Sequence, residues 1–165
     1  MIRRTSATDL LLPFVVVGAL AYVLLRGYYS SLPLFQWFPA LPIAALALAE
    51  LVVARRVRAA VRHDPDAKPM TALAVARAVA LGKASALAGA AFDGAALALI
   101  GKVGPDAGRT AAAQHDLWVG VVVLVACLAL TAAGLLLERS GIDPSRGRGS
   151  RSDRRGWPAD ADRRD

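Results

Sequence analysis

One apolar stretch decides the fold class: it reads LWVGVVVLVACLALTAAGLLL and covers residues 117–137. The stretch contains no charged side chain, and about 20 consecutive apolar residues are enough for a helix to cross the hydrocarbon core of a bilayer. Ionisable residues bound it on both sides, with His115 and Asp116 before it and Glu138 and Arg139 after it. The pattern therefore predicts a membrane-spanning helix with polar ends.

Three further apolar segments precede this stretch, and charged residues are concentrated between them. Hydrophobic residues make up 56% of the 165 residues, against roughly 45–50% in soluble domains. We predict membrane spans at about residues 10–25, 37–53, 72–100 and 117–137. Residues 1–140 are therefore expected to form an all-α, integral membrane four-helix bundle. Residues 141–165 are rich in Gly, Arg, Ser and Asp, which predicts a disordered basic tail.

Basic residues are distributed unequally between the two ends of the predicted spans. Of the 20 Lys and Arg residues, fifteen flank one end of the spans and three flank the other. Cytoplasmic segments of membrane proteins are enriched in Lys and Arg. The chain is therefore expected in the cell membrane, with its N- and C-termini in the cytoplasm.

The first span has an alternative interpretation as a cleavable signal peptide. Arg3 and Arg4 precede an apolar core, and Ala19-Leu20-Ala21 has the small-x-small pattern of a cleavage site. Cleavage there would leave three spans. An even number of spans agrees better with the basic segments that follow, so we expect the first span to be retained.

Charged residues inside the second and third spans carry the unusual chemistry. Glu50 lies in the second span, and Arg77, Lys83 and Asp93 lie in the third. Such side chains are costly in a membrane and usually face protein or water. Arg77 is close enough to the cytoplasmic boundary to extend its charge into the headgroups. At 1.5 Å per residue, Glu50 and Lys83 lie at similar depth, so an interhelical ion pair is predicted, with Arg77 as the competing partner of Glu50.

Asp93 lies deeper in the third span than Lys83. The two residues are separated by about 15 Å along the helix and by about 80° around it. We therefore expect no direct contact between them. Asp93 is predicted to lie toward the outer leaflet, either hydrated or hydrogen-bonded to Ser, Thr or backbone groups.

Small residues line one side of the third span. Their spacing of three and four residues puts them on one helix face, and such faces let membrane helices approach closely. This predicted packing face consists of Gly82, Ser85, Ala86, Gly89, Ala90, Asp93 and Gly94. Its partner could be another span of the chain or a second copy.

The segment RAVALGKASALAGA at residues 77–90, with Pro69 and Met70 upstream, resembles a family of small actinobacterial membrane proteins. The family is known as domain of unknown function 3180. Glu138-Arg139 at the end of the last span is similar to the same position in that family, and the resemblance covers about residues 3–140. This chain has Asp93 where an apolar or small residue is more usual. The resemblance implies a membrane protein and gives no activity.

The sequence contains no catalytic or metal-binding constellation. His63 and His115 belong to opposite faces of the predicted topology, so they cannot share a metal ion. Ser85 has no histidine on its helix face that could activate it. The glycines near residue 101 lack the Lys-Ser/Thr partner of a phosphate loop. We therefore expect no enzyme, no cofactor and no metal.

Two functions are compatible with these features. The first is an accessory or scaffold protein whose partners are the lipid bilayer and either another membrane protein or further copies of itself. The alternative is a small oligomeric transporter or proton-relay unit that uses Glu50, Lys83 and Asp93. The net charge of +7 lies beside the spans, which favours contact with lipid headgroups over nucleic acid.

Overall fold

The computed structural model describes residues 6–29, 36–62 and 70–141 of the chain. The helices are α1 (Ala7–Tyr28), α2 (Ala40–Val61), α3 (Ala72–Val103) and α4 (Ala111–Ser140), and a short 3₁₀ helix at Gly104–Asp106 follows α3. These described segments contain no strand, so the predicted all-α class is confirmed. The predicted disordered tail falls outside the described residues, except for Gly141.

Local capping explains where the long helices begin. The N-caps of α1, α3 and α4 are Ser6, Thr71 and Thr110. The hydroxyls of Thr71 and Thr110 accept hydrogen bonds from backbone N–H groups three residues later, at 3.3 and 3.2 Å, which satisfies donors that the first helical turn leaves free. Helix α2 begins after Pro39. Helices α1 and α4 therefore begin before the predicted spans, whereas α2 begins at Ala40 instead of residue 37, and all four helices end beyond the predicted spans.

Helices α3 and α4 pack against each other as the central pair of the bundle. They run antiparallel, because Gly82 of α3 contacts Gly134 of α4, whereas Ile100 of α3 contacts Gly120. Glycine at these points lets the two backbones approach closely. The α3–α4 pair therefore fixes the positions to which the other two helices attach.

The outer helices pack on opposite members of this pair. Helix α1 packs against α3 in a parallel direction, with Gly18 beside Gly94 and Leu25 in the same apolar cluster as Leu99. Helix α2 packs mainly against α4, also in parallel, and touches α3 over a shorter stretch. Successive helices therefore alternate in direction, and the start of α1 and the end of α4 point to the same end of the bundle.

Among the described residues, three helical segments are long and apolar enough to cross a membrane: Ala7–Tyr28, Ala72–Asp106 and Ala111–Ser140. Helix α2 has 22 residues, but every 18-residue stretch of it contains Glu50, Arg55 and Arg56. It packs beside α4 as a member of the bundle, and the predicted span at residues 37–53 stays a prediction.

The bundle has an apolar exterior with chemically different ends. Leu12, Val23 and Trp118 are each more than 60% exposed, and large apolar patches of this kind are typical of surfaces that contact lipid or other proteins. Exposed aromatic residues gather at one end, which we call the aromatic end: Tyr28, Trp37, Phe38 and Trp118. Exposed arginines gather at the other, the basic end: Arg55, Arg56, Arg58, Arg62, Arg77 and Arg139.

Candidate functional site

The predicted packing face of α3 is buried along its whole length. A Cβ atom on Gly82 would lie 2.7 Å from the carbonyl oxygen of Gly134, and one on Gly89 would collide with Thr131. A Cβ atom on Gly94 would instead collide with the backbone of Phe14 on α1. The partners of this face are therefore α4 and α1 of the same chain. The face has no room left for a second copy.

Glu50 is the most deeply buried acidic side chain of the described residues, at 1% exposed. Neither of its carboxylate oxygens has a hydrogen-bond partner of normal geometry. The Ser85 hydroxyl on α3 is the polar group that faces it. A buried polar group without a partner is expensive, so this position requires a physical explanation.

The predicted ion pair between Glu50 and Lys83 is not formed. The ion pair found within the described segments joins Arg109 to Asp106 at 3.5 Å, on the surface. Equal depth is not sufficient, because Lys83 lies two residues before Ser85 and therefore about 200° around α3 from the side that faces Glu50. Arg77 does not substitute for it, because its side chain is exposed at the basic end.

Asp93 lies at the α3–α4 interface and is 3% exposed. Its Oδ2 atom accepts a hydrogen bond from the Thr131 hydroxyl at 3.1 Å, which is one of the alternatives that the sequence left open. The same hydroxyl lies 3.0 Å from the Cys127 carbonyl oxygen, so its single hydrogen can serve only one acceptor at a time. The Asp93 Oδ1 atom is buried without a partner.

A second buried aspartate, Asp116, occupies the aromatic end. Its Oδ2 atom accepts a hydrogen bond from the Tyr29 hydroxyl at 2.6 Å, and the Lys102 ammonium lies 5.3 Å from the centre of the Tyr29 ring. Burial and this hydrogen bond to Asp116 raise the pKa of Tyr29 to about 12. Tyr29 therefore remains a hydrogen-bond donor at any physiological pH.

Sequence reasoning missed Asp116 and Glu138 as interior groups, because both flank the uncharged stretch and were assigned to the membrane surface. Both are buried, at 3% and 4% exposed. A signal was available in the spacing, since Asp116 follows the buried Ala113 by three residues and precedes the buried Gly120 by four. That spacing places it on the inward face of α4.

The buried acids are distributed along the length of the bundle. Asp116 and Glu138 are near the two ends of α4, about 33 Å apart along the helix, and Glu50 and Asp93 lie between these levels. The described residues contain no group of three His, Cys, Asp or Glu side chains that could hold a metal ion. The chemistry open to such separated carboxyl groups is the uptake and release of protons.

Comparison with known protein families gives a match. The family model described as a protein of unknown function (DUF3180) matches residues 10–144. No curated protein and no solved structure matches the chain.

Proposed function

Since the chain belongs to the family described as protein of unknown function (DUF3180), a description that names no activity, we propose a function from the buried acids of the bundle. We propose that the protein is a membrane-embedded proton relay in which Glu50 and Asp93 take up and release protons. The observation that carries the proposal is Glu50, which is 1% exposed and has no hydrogen-bond partner on either oxygen.

The physical argument concerns the cost of an unpaired charge. Transferring an ionised carboxylate without a partner from water to a protein interior costs several kcal/mol of desolvation free energy. Binding a proton removes the charge and most of this cost. Ionisable residues within membrane proteins commonly mark proton or ion pathways, and Glu50 has the environment of a group that is neutral in the closed bundle and ionises when water reaches it.

Asp93 has a suitable partner for the same chemistry. When Asp93 is ionised, the Thr131 hydroxyl donates its hydrogen to Asp93. When Asp93 carries a proton on Oδ2, it donates to the Thr131 oxygen, and Thr131 donates to the Cys127 carbonyl instead. The distances of 3.1 and 3.0 Å accommodate both arrangements, and only the hydroxyl hydrogen has to rotate.

Water has to bridge the two acids. Glu50 faces Ser85, and Asp93 lies eight residues further along α3, which is about 12 Å. This distance is too long for direct transfer. We expect water to enter between α2 and α3, because these two helices share the shortest of the interhelical contacts. Lys83 has no part in this pathway, since it lies on a different side of α3 from Glu50.

Orientation and location form part of the same proposal. In the sequence, fifteen basic residues flank one end of the predicted spans and three flank the other, which favours a cytoplasmic basic end and a plasma-membrane location. The bilayer is then the immediate partner. We propose neither an enzymatic step nor a nucleic-acid partner.

An accessory role is the second candidate, and α1 favours it. Leu25 is the one buried residue of α1, and this helix packs on α3 alone among the long helices. A helix of another membrane protein could cover its outer surface. The packing face of α3 no longer supports this role, because α4 and α1 of the same chain already occupy it.

Proton flux into liposomes tests the relay. The purified chain is reconstituted with a pH-sensitive dye inside, and a potassium gradient with valinomycin drives proton entry. We expect flux above protein-free vesicles and a loss of at least tenfold in Glu50→Gln. Asp9→Asn is the matched control, because Asp9 is exposed on α1. If the wild-type chain gives no more flux than empty vesicles, the relay is wrong.

The same preparation tests the accessory role. The chain is crosslinked in native membranes and its partners are identified after purification. A partner that is lost when Val23→Arg is introduced on the exposed side of α1 would support the accessory role. Val23 is 68% exposed, so the substitution does not disturb the contacts between α1 and α3.

A further inference from the structure

Several elements converge on Asp116 at the aromatic end of the bundle. Helix α1 contributes Tyr29, α3 contributes Lys102, and the 3₁₀ helix contributes Asp106, whose charge acts on Tyr29. On α4 itself, the neighbouring His115 is exposed. Of these groups, Tyr29 makes a hydrogen bond with the Asp116 carboxylate.

Only one of the two Asp116 carboxylate oxygens has a hydrogen-bond partner. Tyr29 donates to Oδ2 at 2.6 Å, whereas Oδ1 is buried and has no hydrogen-bond partner. The nearby Lys102 ammonium lies over the Tyr29 ring instead of bonding to the carboxylate. One oxygen is thus fixed in place by a phenol that stays protonated, and the other is available to a proton.

Resting on the proposed relay, we infer that Asp116 is the proton-exchange residue at the aromatic end and that Tyr29 is its positioning residue. A proton from the aqueous side binds Oδ1 and forms an O–H bond, so the carboxylate becomes neutral. When that proton passes to water inside the bundle, the carboxylate is restored, and no other bond changes.

The geometry of α1 links this exchange to access from the aqueous side. Tyr29 directly follows α1, and its hydroxyl makes the hydrogen bond between the α1 segment and α4. A hydrogen bond to a charged acceptor is roughly twice as strong as one to a neutral acceptor. Transient opening of this hydrogen bond admits water and a proton to the carboxyl group, and protonation of Asp116 then weakens the attachment of α1 at this end.

The proton path from Asp116 into the bundle is long, like the path between Glu50 and Asp93. Asp116 precedes Cys127 by eleven residues on α4, which is about 16 Å, and Cys127 lies beside Thr131 and Asp93. Water has to connect these levels. Asp116 is consequently a group that loads protons at one end of the pathway and does not hand them directly to Asp93.

The test varies the pH on the aromatic side of the liposomes while the pH on the basic side is held constant. We expect Asp116→Asn to lower the flux at least tenfold and to remove its dependence on the aromatic-side pH. Asp116→Glu should retain that dependence. Asp9→Asn is the control, because it makes the same chemical change at an exposed position on α1, at the opposite end of the bundle.

Tyr29→Phe separates positioning from packing. The ring remains, but the hydrogen bond to the carboxylate is lost, so the midpoint of the flux against aromatic-side pH should shift. A merely structural role for Tyr29 would lower the flux without moving the midpoint, and that result would overturn the positioning role.

Failure of this inference can be distinguished from failure of the relay. Flux in Asp116→Asn that still responds to the aromatic-side pH would overturn the role of Asp116 and leave the relay intact. Absence of wild-type flux would overturn both. Ultraviolet titration reports on the pair without flux: the Tyr29 pKa of about 12 should fall toward 10 in Asp116→Asn, and an unchanged titration would contradict the assigned contact.

Discussion

The buried acid at the α3–α4 interface, Asp93, and the buried acid on α2, Glu50, have different surroundings. At the α3–α4 interface, glycines bring the backbones into contact, and Asp93 receives a hydrogen bond from Thr131. Helix α2 contacts α3 only over a short stretch. Neither oxygen of Glu50 on α2 has a hydrogen bond of normal geometry there. In the first region the hydroxyl hydrogen-bonds to the acid, whereas in the second the Ser85 hydroxyl faces Glu50 without a hydrogen bond of normal geometry. Both acids can exchange protons in the proposed relay, but Asp93 also makes a hydrogen bond that stabilises the bundle, whereas Glu50 makes none of normal geometry.

The largest expected effect on the free energy of unfolding comes from disrupting the α3–α4 interface. A Cβ atom on Gly134 would lie 2.5 Å from the Gly82 carbonyl oxygen and 2.7 Å from the Ala86 nitrogen, so both backbones would have to separate. We expect Gly134→Ala to lower the free energy of unfolding by about 3 kcal/mol, measured by denaturant unfolding in detergent.

Gly101→Ala is the control for that substitution, because it makes the same chemical change in the neighbouring helix. Nothing lies within 4 Å of a Cβ atom at Gly101. Alanine is favoured over glycine within a helix by up to about 1 kcal/mol, so this variant should be slightly more stable than the wild type. Equal destabilisation of both variants would show that the interface is less closely packed than described here.

Removing the hydroxyl partner of Asp93 should have an intermediate effect. Thr131→Val keeps the shape of the side chain but leaves both Asp93 oxygens without a donor. We expect a loss of about 1–3 kcal/mol in the free energy of unfolding, and Thr131→Ser should recover most of it. Identical stability of the Val and Ser variants would indicate that the hydrogen bond contributes nothing.

Much of this architecture is predictable from the sequence. The uncharged stretch at residues 117–137 and the small-residue spacing of α3 indicate apolar helices and a closely packed face, and both have a simple periodic signature. The failed ion pair has a clear cause: depth along a helix follows from residue counting, but the direction of Lys83 around α3 depends on which neighbour α3 packs against. Helix order in space is not encoded in hydropathy.

The interior position of Asp116 shows a second limit. A charged residue next to an apolar stretch is normally assigned to the membrane surface, and that rule ignores the partner that another helix can bring. Tyr29 belongs to a distant part of the chain, and it reaches Asp116 only because α1 packs on α3 beside α4. The periodicity of α4 could identify the buried face, but not the phenol that faces it.

The smallest expected effect on the free energy of unfolding comes from substituting Glu50 on α2. Glu50→Gln replaces a carboxyl group that makes no hydrogen bond of normal geometry, so the free energy of unfolding should stay unchanged or rise by about 1 kcal/mol. Asp93→Asn is the matched variant, and it should be destabilised, because it weakens a hydrogen bond that exists. Denaturant unfolding of the two variants under the same conditions measures the difference in their free energies of unfolding. If Glu50→Gln loses as much stability as Asp93→Asn, then Glu50 is held by an interaction of its own, and the contrast between a hydrogen-bonded Asp93 and an unbonded Glu50 does not apply to this bundle.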